Sequence, residues 1–222
     1  MKKLSKLVLL IACIASSAFS IENLSIGGRA SGNFNLVWGE NSRDGAYGFG
    51  FNIGGAALYE INSMIQINPE LTFAYRNHSF SSEVDLSLVT SSADITITFL
   101  NIDIPILARL QVIQPVFFEI GPLVSLNLSS SYSYEQKSSS SLTFTNEGDI
   151  EEPNLIEFGL VFGVGKKLDI GTGLDVNFRF ILGLTNTYKD SLDNNIYQVI
   201  TGTTDRDNKS MMFQLGATYW FL

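Results

Sequence analysis

Apolar side chains recur at every second residue along most of this chain. In 49–60, Phe49, Phe51, Ile53, Ala57 and Tyr59 alternate with Gly50, Asn52, Gly54, Ala56 and Glu60, with Leu58 as the one large apolar exception. In 65–76, Ile65, Ile67, Pro69, Leu71, Phe73 and Tyr75 alternate with Gln66, Asn68, Glu70, Thr72, Ala74 and Arg76. Side chains repeat every 2 residues in a strand and every 3.6 in a helix, so runs of this length exclude helices. The same period recurs in 117–128, 156–165, 174–184 and 211–221, and more weakly in 25–38. In the remaining segment the apolar set changes phase, from Ile95, Ile97 and Phe99 to Leu100, Ile102, Ile104 and Ile106. An extra residue near Phe99–Leu100, a β-bulge, would restore the facing.

Eight strands result, most of them longer than the ~5–6 residues usual in soluble sheets and close to the ~9–11 that a tilted strand needs to cross a bilayer. The connections alternate in length. Polar stretches at 39–47, 77–93, 129–153 and 186–209 are long, and those at 61–64, 111–114 and 166–173 are short. Outer-membrane barrels have this parity, with short periplasmic turns and long extracellular loops. The fold expected is all-β: an eight-stranded antiparallel up-and-down transmembrane β-barrel spanning residues 21–222.

The rival is a soluble exported barrel with polar residues outside and a small apolar ligand inside. The polar face speaks against it. A solvated surface is about 25–35% charged, whereas only 16% of all residues here are charged. This face is mostly Gly, Ala, Ser, Thr and Asn. Small residues suit a crowded lumen, and the large Phe, Ile and Leu side chains suit a lipid-facing belt. That orientation places Arg29, Glu70, Asp103, Arg109, Glu119, Glu157, Asp175 and Arg179 inside. Isolated buried charges are costly, so these eight are expected to pair in an interior polar network.

The N-terminus carries Lys2, Lys3 and Lys6, then an apolar run from Leu7 to Ala15, then small residues to Ser20. This is the layout of a signal peptide, residues 1–20, cleaved after Ser20. The apolar run is shorter than a membrane helix requires. Leu10-Ile11-Ala12-Cys13 also has the form of a lipidation box, though its preceding apolar run is very short. Cys13 is the only cysteine, so the exported chain is expected to have neither disulfide nor thiolate chemistry. Loss of three lysines and no acid moves the net charge from −8 to −11, which argues against a nucleic-acid partner.

The chain ends on Gln214-Leu215-Gly216-Ala217-Thr218-Tyr219-Trp220-Phe221-Leu222. Read as the eighth strand, it pairs with the first and removes both sheet edges. Gln214, Gly216, Thr218 and Trp220 then face inward, and Tyr219 and Phe221 join a periplasmic aromatic girdle. Ile104-Pro105-Ile106-Leu107, Glu119-Ile120-Gly121-Pro122 and the closing MMFQLGATYWF resemble the PorT-like outer-membrane β-barrel family of Gram-negative bacteria. The resemblance implies architecture and location, and no active site; the family's namesake belongs to a secretion apparatus. Gln214, Gly216, Tyr219 and Phe221 also resemble the signal read by the barrel-assembly machinery, from which the trailing Leu222 departs.

Chemistry-bearing motifs are sparse. His78, the only histidine, is expected in a solvated loop. With Ser79 and Glu83 it has the residue types of an outer-membrane lipid-modifying enzyme. Gly163–Lys167 lacks the rest of a phosphate loop. The acids Asp149, Glu151, Glu152, Asp190, Asp193, Asp205 and Asp207 are expected to be solvated or bridged by divalent cations to lipopolysaccharide. The function expected is that of a monomeric, non-enzymatic, cofactor-free barrel, structural, adhesive or assembly- and secretion-related. Its partners are outer-membrane lipid, lipopolysaccharide and the assembly machinery.

Overall fold

A computed structural model describes residues 22–38, 47–86, 89–138, 143–150, 154–168, 173–187 and 209–221. The proposed signal segment, with Cys13 and Ser20, lies outside the described residues, as do Glu151, Glu152 and most of 186–209. The described residues form nine strands: β1 (Leu24–Trp38), β2 (Tyr47–Glu60), β3 (Ile65–Leu86), β4 (Val89–Ile113), β5 (Val116–Ser138), β6 (Thr143–Asp149), β7 (Ile156–Leu168), β8 (Leu174–Asn186) and β9 (Lys209–Trp220). All pairs are antiparallel, and β9 pairs with β1, from Gly27 opposite Trp220 to Trp38 opposite Lys209. This closes an eight-stranded barrel in the order β1-β2-β3-β4-β5-β7-β8-β9.

The ninth strand is the main departure from the expected layout. Stretches read as long loops are partly sheet. β3 and β4 continue as one hairpin until Leu86 pairs with Val89. The serine-rich stretch supplies the end of β5 and all of β6, which pairs residues 143–149 with 131–137. Three of the strands therefore reach 22, 25 and 23 residues, and a four-stranded extension, β3-β4-β5-β6, rises above the barrel. The turns at 61–64 and 114–115 lie at the opposite end, with Trp220. Short turns mark that end as periplasmic.

The phase change in β4 has a different cause from the one expected. β4 alternates without interruption: Ile95, Ile97, Phe99, Asn101 and Asp103 are all buried. The extra residue sits on β5, where Leu100 pairs with Ser129 and Asn101 with Asn127. Leu128, left over, is exposed. The apolar set of β4 thus really changes sides. Below the bulge Leu100 and Ile106 face outward. Above it Ile95, Ile97 and Phe99 turn to the inner side and form a small core with Tyr132, Tyr134 and Ile150. Above the bilayer, apolar residues need such a core, because no lipid covers them.

Through the barrel itself, burial is inverted relative to a water-soluble protein. Phe49, Phe51, Ile53, Leu71, Phe73, Phe158 and Leu215 are each more than half exposed, while Arg109 and Arg179 are 0% and 2% exposed. A barrel with an apolar lumen is thereby excluded. No helix among the described residues is long and apolar enough to cross a membrane. The strands make the crossing, since a closed barrel satisfies every backbone group without water.

Candidate functional site: an ion chain through the lumen

Inward positions alternate with lipid-facing ones on each strand of the barrel, so polar residues from non-adjacent strands meet in the lumen. Six of the eight charges picked from the sequence form one chain of alternating sign. Arg29 Nε lies 3.0 Å from Glu70 Oε2. Arg179 donates from both terminal nitrogens to Glu70, at 2.8 and 2.7 Å, and from Nε to Glu119, at 2.8 Å. Arg109 donates to Glu119 Oε1 from Nη2, at 2.9 Å, and to Asp175 Oδ2 from Nη1, at 2.5 Å. Trp220 Nε1 completes the chain by donating to Asp175, at 2.9 Å. The Arg109 guanidinium also lies 3.9 Å over the Phe117 ring.

The three arginines balance the three carboxylates, and each carboxylate has at least two charged or N–H partners. This arrangement meets the condition under which buried ions are tolerated, in which every desolvated charge is paired and its hydrogen-bonding capacity is filled. β8 and β3 are four strands apart in a ring of eight. The bidentate Arg179–Glu70 pair therefore bridges the full diameter of the lumen.

Asp103 belongs to a second group. It pairs with Arg76, accepts from Ser125 Oγ (2.6 Å) and accepts from Asn52 Nδ2 (2.9 Å). Arg76 was not among the residues picked from the sequence. It sits on the polar face of the 65–76 alternation but next to the supposed loop at Asn77, and only the continuation of β3 places it in the wall. Amides join the two groups. Arg29 donates to Gln214 (2.8 Å), Gln214 donates to Asn33 (3.0 Å), and Asn33 donates to Asn52 (2.5 Å). Glu157 faces the lumen opposite Ser125 and is buried, yet it makes no hydrogen bond or ion pair with any described residue.

The C-terminal residues have a place in this arrangement. Gln214 and Gly216 are buried, whereas Tyr219 and Phe221 are 45% and 61% exposed on the lipid side, with rings 5.5 Å apart. A Cβ on Gly216 would lie 2.6 Å from Arg29 Nη2 and 2.8 Å from Asn177 Oδ1. Arg29 cannot retreat without losing its bonds to Gln214, Asn177 and Thr218. Gly216→Ala is expected to lower barrel stability by about 1–3 kcal/mol, the usual cost of overpacking a filled interior. Urea unfolding in lipid vesicles, followed by tryptophan fluorescence, measures it.

His78 is not in a solvated loop. It is buried in β3, both ring nitrogens lack partners among the described residues, and its ring lies 5.8 Å from that of Phe99. Ser79, the next residue of the strand, points to the other face and bonds Thr96 Oγ1 at 3.2 Å. The described geometry therefore separates the supposed base from the supposed nucleophile; the side chain of Glu83 lies outside the described residues. Gly163–Lys167 is plain strand within β7.

A family model for the outer membrane protein beta-barrel domain matches residues 15–189. Among solved structures, Ail, the attachment invasion locus protein of Yersinia pestis, is 11% identical, with 90% of this chain and 100% of that one covered and a TM-score of 0.37. Neisserial surface protein A is 15% identical over 89% and 97% of the two chains, with a TM-score of 0.42. The Escherichia coli outer membrane protease OmpT is 10% identical over 89% and 95%, with a TM-score of 0.43. No curated protein matches. With its apolar side chains turned to lipid, its ions turned inward and most of its length matched by that model, this outer-membrane chain belongs to the outer membrane protein beta-barrel domain family.

Proposed function

We propose that the chain is a structural outer-membrane barrel, closed to solutes and without catalytic activity. Its contacts with the outside, adhesive or with an assembly or secretion partner, would be made by the sheet that rises above the barrel. The observation that carries this is the ion chain. It crosses the lumen wall to wall, and beside Arg29, Glu70 and Arg179 it leaves a cavity of only about 10 Å³. An eight-stranded barrel has just the width that side chains can fill. The extension is the part of the molecule free of that constraint and of the bilayer. The placement of His78 and Ser79 on opposite faces supports the absence of lipid-modifying chemistry.

Within its family the chain is PorT-like in kind, on the strength of the strands around Ile104–Leu107 and Glu119–Pro122. It is a monomer, delivered by a cleaved signal peptide and recognised by the assembly machinery through Gln214, Gly216, Tyr219 and Phe221. Lipopolysaccharide surrounds its outer rim. The test is electrical. Purified barrel in a planar lipid bilayer is expected to give no sustained unitary current. Stable porin-sized steps in the parent protein would refute a closed structural role.

A further inference from the structure

At the periplasmic mouth the barrel holds a cavity of about 450 Å³. Its floor is Trp220, packed with the buried Leu58 and Ala56 and held by its bond to Asp175. The floor is therefore the last member of the ion chain and is rigid. Three charged side chains line it: Asp175, whose charge is already met by Arg109 and Trp220, and, on opposite walls, Glu60 from β2 and Lys167 from β7. In the strand order, β2 and β7 are four places apart in a ring of eight, so Glu60 and Lys167 face each other across the mouth.

Among the described residues Glu60 accepts one hydrogen bond, from Gln66 Nε2 at 2.8 Å, and Lys167, which stands opposite Asp175 on the neighbouring strand, forms no ion pair. The wall between them carries the amides of Gln111 and Gln114. A site of this size, with an apolar floor and a few convergent polar groups, has the anatomy of a small-molecule pocket. Its charge pattern selects the occupant. A plain anion would satisfy Lys167 and be repelled by Glu60, and a plain cation the reverse. A neutral apolar molecule would leave both charges unused. With Asp175 already neutralised by Arg109, a ligand with an ammonium at one end, a carboxylate at the other, amide groups between and an apolar side chain matches the remaining groups.

We propose that the periplasmic cup binds a short zwitterionic peptide, its ammonium at Glu60, its carboxylate at Lys167 and an apolar side chain on the Trp220–Leu58 floor. Three residues in extended form span about 10 Å, which suits a site that is charged on opposite walls. The site is separate from the extracellular role above, because the ion chain lies between the two.

The test uses the full barrel in phosphatidylcholine nanodiscs and titration calorimetry with Ala-Leu-Ala, its N-acetylated form and its C-amidated form. The free tripeptide is expected to bind saturably, and each blocked form at least tenfold more weakly. In Lys167→Gln the free and amidated peptides should bind alike, and in Glu60→Gln the free and acetylated ones. Neither residue belongs to the ion chain, and heat-modifiable gel mobility checks the fold of each variant. If a variant does not fold, the three peptides on the parent protein still decide. Absence of saturable binding overturns the proposal, as does equal binding of free and blocked peptides. Binding of N,N′-diacetylchitobiose in place of the tripeptide would assign the cup to a glycan and overturn it as well.

Discussion

Arg179→Leu is expected to destabilise the folded barrel by about 3–5 kcal/mol, the cost of leaving a buried partner charge uncompensated. The effect should exceed that of any single substitution on the lipid face from one apolar residue to another. Among the described residues Arg179 alone touches both Glu70 and Glu119, so its loss takes a partner from two carboxylates and leaves one negative charge uncompensated in a lumen without bulk water. Arg29 and Arg109 each hold one of them from the far side but cannot also neutralise the vacated side. Urea or heat unfolding in vesicles, read by gel mobility, gives the shift. The companion variant Glu70→Gln in the Arg179→Leu background should recover part of the loss, because it removes one stranded charge. A single variant that unfolds with the parent would show that the chain contributes nothing to stability.

Deletion of Gln214–Leu222 is expected to abolish recovery of the protein in the outer membrane. The segment is most of β9, which pairs along its length with β1 on one side and β8 on the other. Without it, two strand edges would open inside the hydrocarbon, where each unpaired N–H or C=O costs several kcal/mol. Gln214 and Trp220 would also leave their bonds to Arg29 and Asp175. Removal of Leu222 alone should leave membrane recovery unchanged, since pairing ends at Trp220 and the last described backbone bond is from Phe221 to Ile26. Cell fractionation and blotting distinguish the cases. Normal insertion of the longer deletion would refute closure by β9. Failure of the Leu222 deletion would show that the residue is read during assembly.

Much of this was legible beforehand. The facing of Phe49, Phe51 and Ile53 against Asn52, and of Phe178 against Arg179, follows from a local rule: neighbouring residues of a strand point to opposite sides. The same rule identified the lumen charges one strand at a time, and it placed Gln214 and Trp220 inside. Legibility ended where contrast between the faces ended. In 79–94 and 129–149 polar residues, Ser above all, stand on both faces, so a long hairpin looks like a loop. Arg76 and His78 were misjudged for that reason, standing at the border of a stretch whose strand character shows only in its pairing. The switch of Ile95, Ile97 and Phe99 to the inner side was visible as a change of phase, but it required β5 to show which strand bears the extra residue.

By itself, then, the sequence determined that the chain forms alternating strands, that they close on one another, and which side of each faces lipid, because all of this depends on neighbours within a few residues. It also determined that Arg29, Arg109 and Arg179 share the inside with the acids. Which acid meets which arginine was decided only by the tertiary structure. Arg179 reaches Glu70 across 109 positions of chain and across the whole diameter of the lumen. Strand order, register and tilt bring those two residues together, and no local pattern encodes them jointly. The cup at the periplasmic mouth has the same origin: Glu60 and Lys167 stand opposite each other only once the ring is complete.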